Sequence, residues 1–195
     1  MLTIAIFAGG KSERMGKEKA TMPFKGNILI RHVIERIEDL ADEIIIIGNV
    51  SQDDIKPGIR IIPDKIPGHG PLGGLFTALY TASNPVVAAV GCDMPFVSPD
   101  LFAYQIENLI SNNVDVVVPT TSSGLEPLHS VYRKENCLLP VKEAMERGEN
   151  RLISWFPRVK LQILSLEEIL PFDPFGRIFM NINTPEEFTL AEKLV

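Results

Sequence analysis

Short apolar runs alternate along the chain with stretches in which apolar residues recur at helical spacing. Residues 2–7 (LTIAIF) read as a strand, and residues 29–40 (LIRHVIERIEDL) carry apolar positions at helical intervals with Glu and Arg between them. Residues 43–48 (EIIIIG) form a nearly unbroken β-branched run, the pattern of a strand covered on both faces. Residues 59–62 (IRII) predict a further short strand, 72–82 a helix and 85–91 (PVVAAVG) another buried strand. Ser98-Pro99-Asp100 is a helix start with proline at the first helical position, and that helix is expected to run to about Asn112. Residues 114–119 (VDVVVP) give the next strand, 128–133 (LHSVYR) a strand that reverses direction, 137–147 a helix and 159–164 (VKLQIL) an edge strand. Thr184-Pro185-Glu186-Glu187 is a capping box opening a last helix. Strands and helices that alternate in this way predict a parallel sheet with helices on both faces. No repeat or linker divides residues 1–195, so one domain is expected, with the proline-rich 169–176 as a surface loop.

Composition narrows the class. Hydrophobic residues make up 45% of the 195 and charged residues 23%, a globular balance that excludes a disordered or fibrous chain. The net charge of −6 argues against a general nucleic-acid binder, but a local cationic pocket can still hold a small anion. No apolar run approaches the roughly 20 residues that cross a bilayer, and the amino terminus lacks a secretory pattern, so no membrane partner is expected. Cys92 and Cys137 lie far apart, as expected of free thiols in a reducing cytoplasm, and the three histidines form no metal-like spacing.

The chemistry concentrates where the first strand ends. Gly9 and Gly10 follow it directly, and Lys11, Arg14, Lys17 and Lys19 come next. In an open parallel sheet, ligands bind beyond the carboxyl ends of the strands. Glycine there lets backbone N–H groups approach an anion, and the cations add charge: a phosphate cradle. The Walker pattern fails, since Lys11 stands where its first glycine should and Glu18 where it needs Ser or Thr. The dinucleotide fingerprint fails as well, because Gly9 and Gly10 are adjacent. A glycine turn with solvated cations is the plainer alternative. A second carboxylate-bearing stretch, VVAAVGCDMPF, sets Asp93 at the end of an apolar strand, either as a metal ligand on the same rim or as a turn residue before Pro95. One carboxylate suffices for Mg2+, which keeps phosphates and water as its other ligands. Cys92 reads as a small core residue, His32 as a helix-surface residue and His69 as a loop residue.

FAGGKSERMGKEKA resembles the L-A-G-G-x-S-x-R-M-G-x-D-K signature of nucleotidyltransferases, with Phe7 in place of Leu and Glu18 in place of Asp. GPLGGL (70–75), CDMPF (92–96), EPLHSVYR (126–133) and NINTPEEF (181–188) follow in order, and the whole set is similar to the molybdenum cofactor guanylyltransferases. The resemblance implies a three-layer α/β/α fold with a Rossmann-like, mostly parallel sheet, of the nucleotide-diphospho-sugar transferase type. It also implies transfer of GMP from GTP to molybdopterin, without a covalent enzyme intermediate. By the same resemblance Phe7, Ala8, Gly9, Gly10, Asn49, Asp64 and Gly73 lie on the nucleotide, Lys19 and Arg14 neutralise its phosphates, and Asp93 holds Mg2+. Asn181, Asn183 and His129 would border the acceptor, although turn geometry accounts for the two asparagines equally well and strand packing for His129. Arg147 and Arg151 lie on a charged stretch, either as a solvated face or within reach of an anionic acceptor. Handover to a molybdoenzyme chaperone is a further implied partner. The alternatives are a related enzyme that uses CTP or a sugar or polyol phosphate acceptor, or a nucleotide-binding protein without catalysis.

Overall fold

The computed structural model describes residues 1–9, 19–66 and 68–194. In chain order these form β1 (Leu2–Ala8), β2 (Pro23–Phe24), β3 (Asn27–Ile28), α1 (Leu29–Ile37), β4 (Glu43–Gly48), β5 (Arg60–Ile62), α2 (Gly70–Thr81), β6 (Val86–Gly91), α3 (Pro99–Ser111), β7 (Val116–Thr121), β8 (Gly124–Leu125), β9 (His129–Arg133), α4 (Lys134–Glu146), β10 (Leu161–Leu164), α5 (Leu166–Ile169) and α6 (Pro185–Leu194). The central sheet has the order β10-β7-β9-β6-β1-β4-β5, with β8 paired to β7. All its neighbours on the main path are parallel except β9, which runs antiparallel to both β6 and β7. The chain steps from β1 outward to β4 and β5, then returns to lay β6 on the other side of β1. That reversal creates a topological switch point between β1 and β6.

Alternation along the strands divides the core in two. Leu2, Ile4 and Ile6 of β1 pack with Ile30, Val33, Ile34 and Ile37 of α1 and with Leu101, Phe102 and Leu109 of α3. Ala5 and Phe7 face the other way, onto Leu72, Leu75 and Leu79 of α2 and Val141 and Met145 of α4, with Trp155 fully buried beside them. A smaller third cluster joins Phe24, Leu29 and Phe96 to Ile182 and Ala191. It anchors the β2–β3 hairpin, the turn after β6 and the C-terminal helix to one another.

The boundaries follow local chemistry. Ser98 caps α3 through its hydroxyl, which accepts the Leu101 N–H at 3.1 Å, worth about 1 kcal/mol. The Thr184 hydroxyl accepts from Glu187 N, and the Glu187 carboxylate accepts from Thr184 N, so the expected box is formed. The 29–40 helix ends early, at Ile37, because the chain turns to deliver Asp42 N to Leu2 O at the sheet's lower edge. Among the described residues no helix is long and apolar enough to cross a membrane.

Below the sheet, Glu43 accepts hydrogen bonds from Thr3 Oγ1 (2.6 Å), Ser83 N and Oγ (both 2.8 Å) and Arg60 Nη2 (2.5 Å). Burial works to raise this carboxyl, but the bonds from Thr3, Ser83 and Arg60 outweigh it and bring it down to about 2. A carboxyl held below its ordinary 4.5 stabilises the fold above that value, and the contribution fades as pH falls from 4.5 toward 2. Denaturant melts of the wild type and Glu43→Gln should therefore differ most near pH 7 and converge near pH 2. A gap that stays constant across this range would remove Glu43 from the acid limb.

Candidate active site

The parallel register brings the candidate residues to one rim. Phe7 pairs with Gly91 and Ala8 with Gly48, so Gly9, Asn49 and Asp93 all emerge just beyond the carboxyl ends of β1, β4 and β6. Asp93 lies in the turn immediately after β6, where Cys92 N donates to Phe7 O at 3.0 Å and Met94 N to Gly91 O. Its side chain folds back over Gly91: a Cβ at that position would lie 2.5 Å from Asp93 Oδ1. Glycine at 91 is what admits the carboxylate to the rim.

Lys19 arrives from the other side. It opens the short 3-10 turn Lys19–Thr21, whose Ala20 is buried in the core and fixes the turn against α1. The Lys19 ammonium donates to Asn183 Oδ1 at 2.5 Å and reaches Asp93 Oδ2 at 3.3 Å, and both members of the ion pair are about four-fifths covered. The segment carrying Asn183 is tied to the same turn, since Ile182 N donates to Asp93 O at 2.9 Å and Ile182 is buried in the third cluster. Three distant stretches of sequence, near residues 19, 93 and 183, thus converge on one ammonium.

The other expected residues are distributed as follows. Phe7 is buried, its ring close against Gly74 of α2, with Ala8 half-buried and Gly9 exposed above it. Asn49 is exposed beyond β4. Asp64 organises the loop before α2: its Oδ1 accepts from Thr77 Oγ1 and Ile66 N, both at 3.1 Å. Gly73 admits that loop onto the helix, because a Cβ there would lie 3.0 Å from both Asp64 Oδ2 and Ile66 O. Gly10 and Arg14 lie outside the described residues. Asn181 donates to Phe179 O, a bond within its own loop.

The two histidines of α1 and β9 fare differently. His129 takes the strand-packing place that the sequence left open. It is wholly buried in β9, stacked on Phe102 at 4.1 Å and edge-on to Phe179, and burial lowers it to about 3, so it stays neutral. His32 is not a plain helix-surface residue. It is half-buried, 4.9 Å from the Phe24 ring, with Nε2 at 3.1 Å from Pro95 O, and burial pushes it below its ordinary range. One turn on, Arg36 Nε donates to Val97 O at 2.9 Å. These two side chains on one face of α1 clamp the 95–97 stretch that follows Asp93. Their i, i+4 spacing in LIRHVIERI was the available signal, but spacing alone gives no target for it. Burial, together with the charge of adjacent Asp93, pushes the Cys92 thiol up to about 12, which removes it as a nucleophile near neutrality.

A carboxylate and an amine meeting over the switch point of a parallel sheet is a layout suited to phosphoryl chemistry, and the MobA-like NTP transferase domain matches residues 4–161. The chain is a nucleotidyltransferase. It is 35% identical to a probable molybdenum cofactor guanylyltransferase of Pelotomaculum thermopropionicum, over 97% of this chain and 91% of that one. It is also 33% identical to a protein of the same description from Carboxydothermus hydrogenoformans, over 100% and 95%. The chain belongs to the molybdenum cofactor guanylyltransferase family. Its fold is shared with molybdopterin-guanine dinucleotide biosynthesis protein A from Archaeoglobus fulgidus (TM-score 0.84, 23% identity, 98% and 97% covered). It is shared too with a 4-diphosphocytidyl-2C-methyl-D-erythritol synthase from Anaerococcus prevotii (TM-score 0.71, 15% identity, 99% and 95% covered). The second neighbour makes clear that the fold by itself does not choose the base. Nucleotidyltransferases of this kind suggest a divalent cation at the site. Among the described residues no three His, Cys, Asp or Glu side chains gather to hold one alone.

Proposed function

We propose that this protein transfers GMP from GTP to the terminal phosphate of molybdopterin, giving molybdopterin guanine dinucleotide and pyrophosphate. The observation that supports it most is the convergence of Lys19, Asp93 and Asn183 at the β1/β6 switch point of a chain from this family. An oxygen of the acceptor phosphate attacks the α-phosphorus of GTP in line. The bond to the β-phosphate breaks, and its electron pair leaves with pyrophosphate. The acceptor phosphate is ionised near neutral pH, so the protein's work is alignment and neutralisation of charge.

Lys19 lies against the departing phosphates. A charge contact at 4 Å is worth about 4 kcal/mol at an effective dielectric of 20, before desolvation is subtracted. Arg14 adds a second cation. Phe7, Ala8, Gly9, Gly10 and Asn49 line the nucleotide, while Asp64 and Gly73 shape the loop beside its base. Asn181 and Asn183 face the acceptor. Asp93 Oδ2 is a hard oxygen donor already turned toward a cation, and one such carboxylate fits Mg2+ with phosphates and water completing the shell. Asp93 would hold the Mg2+, which would supply further neutralisation of phosphate charge. The reaction belongs to the cytoplasm, residues 1–195 act as one domain, and the product passes to a molybdoenzyme or its chaperone.

Pyrophosphate release measured with each of the four NTPs, with and without molybdopterin, tests this reading. Release is expected only with GTP, molybdopterin and a divalent cation together. Turnover with CTP or with a sugar phosphate acceptor would move the protein to a related transferase. GTP binding without turnover would make it a nucleotide-binding regulator.

A further inference from the structure

The Thr184–Glu187 box does more than cap a helix. In an ordinary box the glutamate accepts only the N–H of the capping residue. Such a box forms at Ser165 and Glu168, where Glu168 Oε2 accepts Ser165 N at 2.8 Å. At the C-terminal helix, Glu187 Oε2 accepts Thr184 N at 3.0 Å and also the N–H of the preceding residue, Asn183, at the shorter 2.6 Å. The second bond fixes the backbone from which the Asn183 amide reaches Lys19. The ammonium is seated on that amide at 2.5 Å and only leans toward Asp93 at 3.3 Å. The amide therefore sets where the lysine stands, and the lysine can keep its place when Asp93 turns to another cation.

We infer that Glu187 is a positioning residue: through the backbone of Asn183 it holds Lys19 at the phosphate side of the rim. This rests on the proposed role of Lys19 toward nucleotide. Glu187 touches neither nucleotide nor acceptor. It acts at one remove, where loss of a supporting hydrogen bond typically costs tenfold or more in activity. A helix cap alone would contribute to stability and leave Lys19 untouched.

The discriminating experiment is epistasis with Lys19. In the full chain, Glu187→Ala should lower kcat/KM for GTP about tenfold, and the same change in a Lys19→Ala background should lower it by less than about twofold, since coupled residues do not add. Asn183→Ala, which leaves the box intact, should reproduce the loss, while Thr184→Ala should lower the melting temperature with little kinetic effect. Equal losses in both Lys19 backgrounds, or no loss in folded Glu187→Ala, would overturn the inference. A second readout needs no substrate: labelling of amines followed by mass spectrometry should find Lys19 more reactive in Glu187→Ala and Asn183→Ala than in the wild type. Unchanged labelling in both would also overturn it. Absence of guanylyl transfer in the wild type would defeat the proposed function and leave the labelling test in force.

Discussion

Asp93→Ala is expected to lower pyrophosphate release at least about a hundredfold, the scale on which loss of one transition-state charge contact is felt. The carboxylate is the negative charge at the switch point that Lys19 faces, and it stands there for reasons internal to this chain. β6 is wholly buried, so the chain cannot place a charge earlier than its end. Gly91 clears the space the carboxylate fills. His32 and Arg36 hold the backbone just beyond it, and Ile182 N holds the Asp93 carbonyl itself. Because the turn is fixed by backbone bonds, the alanine variant should keep its melting temperature within a few degrees, which separates a chemical loss from unfolding. Asp93→Asn keeps shape and removes charge, and should be nearly as inactive as alanine. An asparagine variant with turnover close to wild type would show that shape, not charge, is what the site requires of residue 93.

The contrast between Asp93 and His129 indicates what a linear sequence discloses. Asp93 was legible because a charged residue that ends an apolar strand has few ordinary reasons to be there, and parallel strands deliver their carboxyl ends to one edge. The β-branched runs at 43–48 and 85–91 were legible for the same reason: two-face burial leaves little else to read. His129 was ambiguous because a strand alternates its faces, and which face meets Phe102 depends on how the separate helix α3 packs. The clamp made by His32 and Arg36 was hidden for a related reason. Helix periodicity marks a face, whereas the partner of that face, the 95–97 stretch, is set by the crossover of the chain. The β2–β3 hairpin was missed because two-residue strands carry no period at all. Glu187 was seen as half of a capping box, and its second acceptor bond depends on the path of residues 180–183, which local sequence does not encode.

Lys19→Ala carries the other large expected effect, again at least about a hundredfold in turnover. Its signature should differ from that of a binding residue. An ammonium that holds substrate and transition state equally would alter only KM, whereas one that meets charge growing on departing pyrophosphate lowers kcat. At saturating GTP the deficit should therefore persist in a single-turnover measurement of pyrophosphate release. Lys19→Arg should recover little. The planar guanidinium cannot sit as a point charge between Asn183 Oδ1 at 2.5 Å and Asp93 Oδ2 at 3.3 Å. The turn itself should survive either change, since it is anchored by buried Ala20 and by the Met22 N to Lys19 O and Leu29 N to Met22 O bonds. A folded Lys19→Ala protein whose kcat stays near wild type while KM rises would reassign the lysine to ground-state binding. The neutralisation of the leaving group would then have to come from the cations that precede it in the chain.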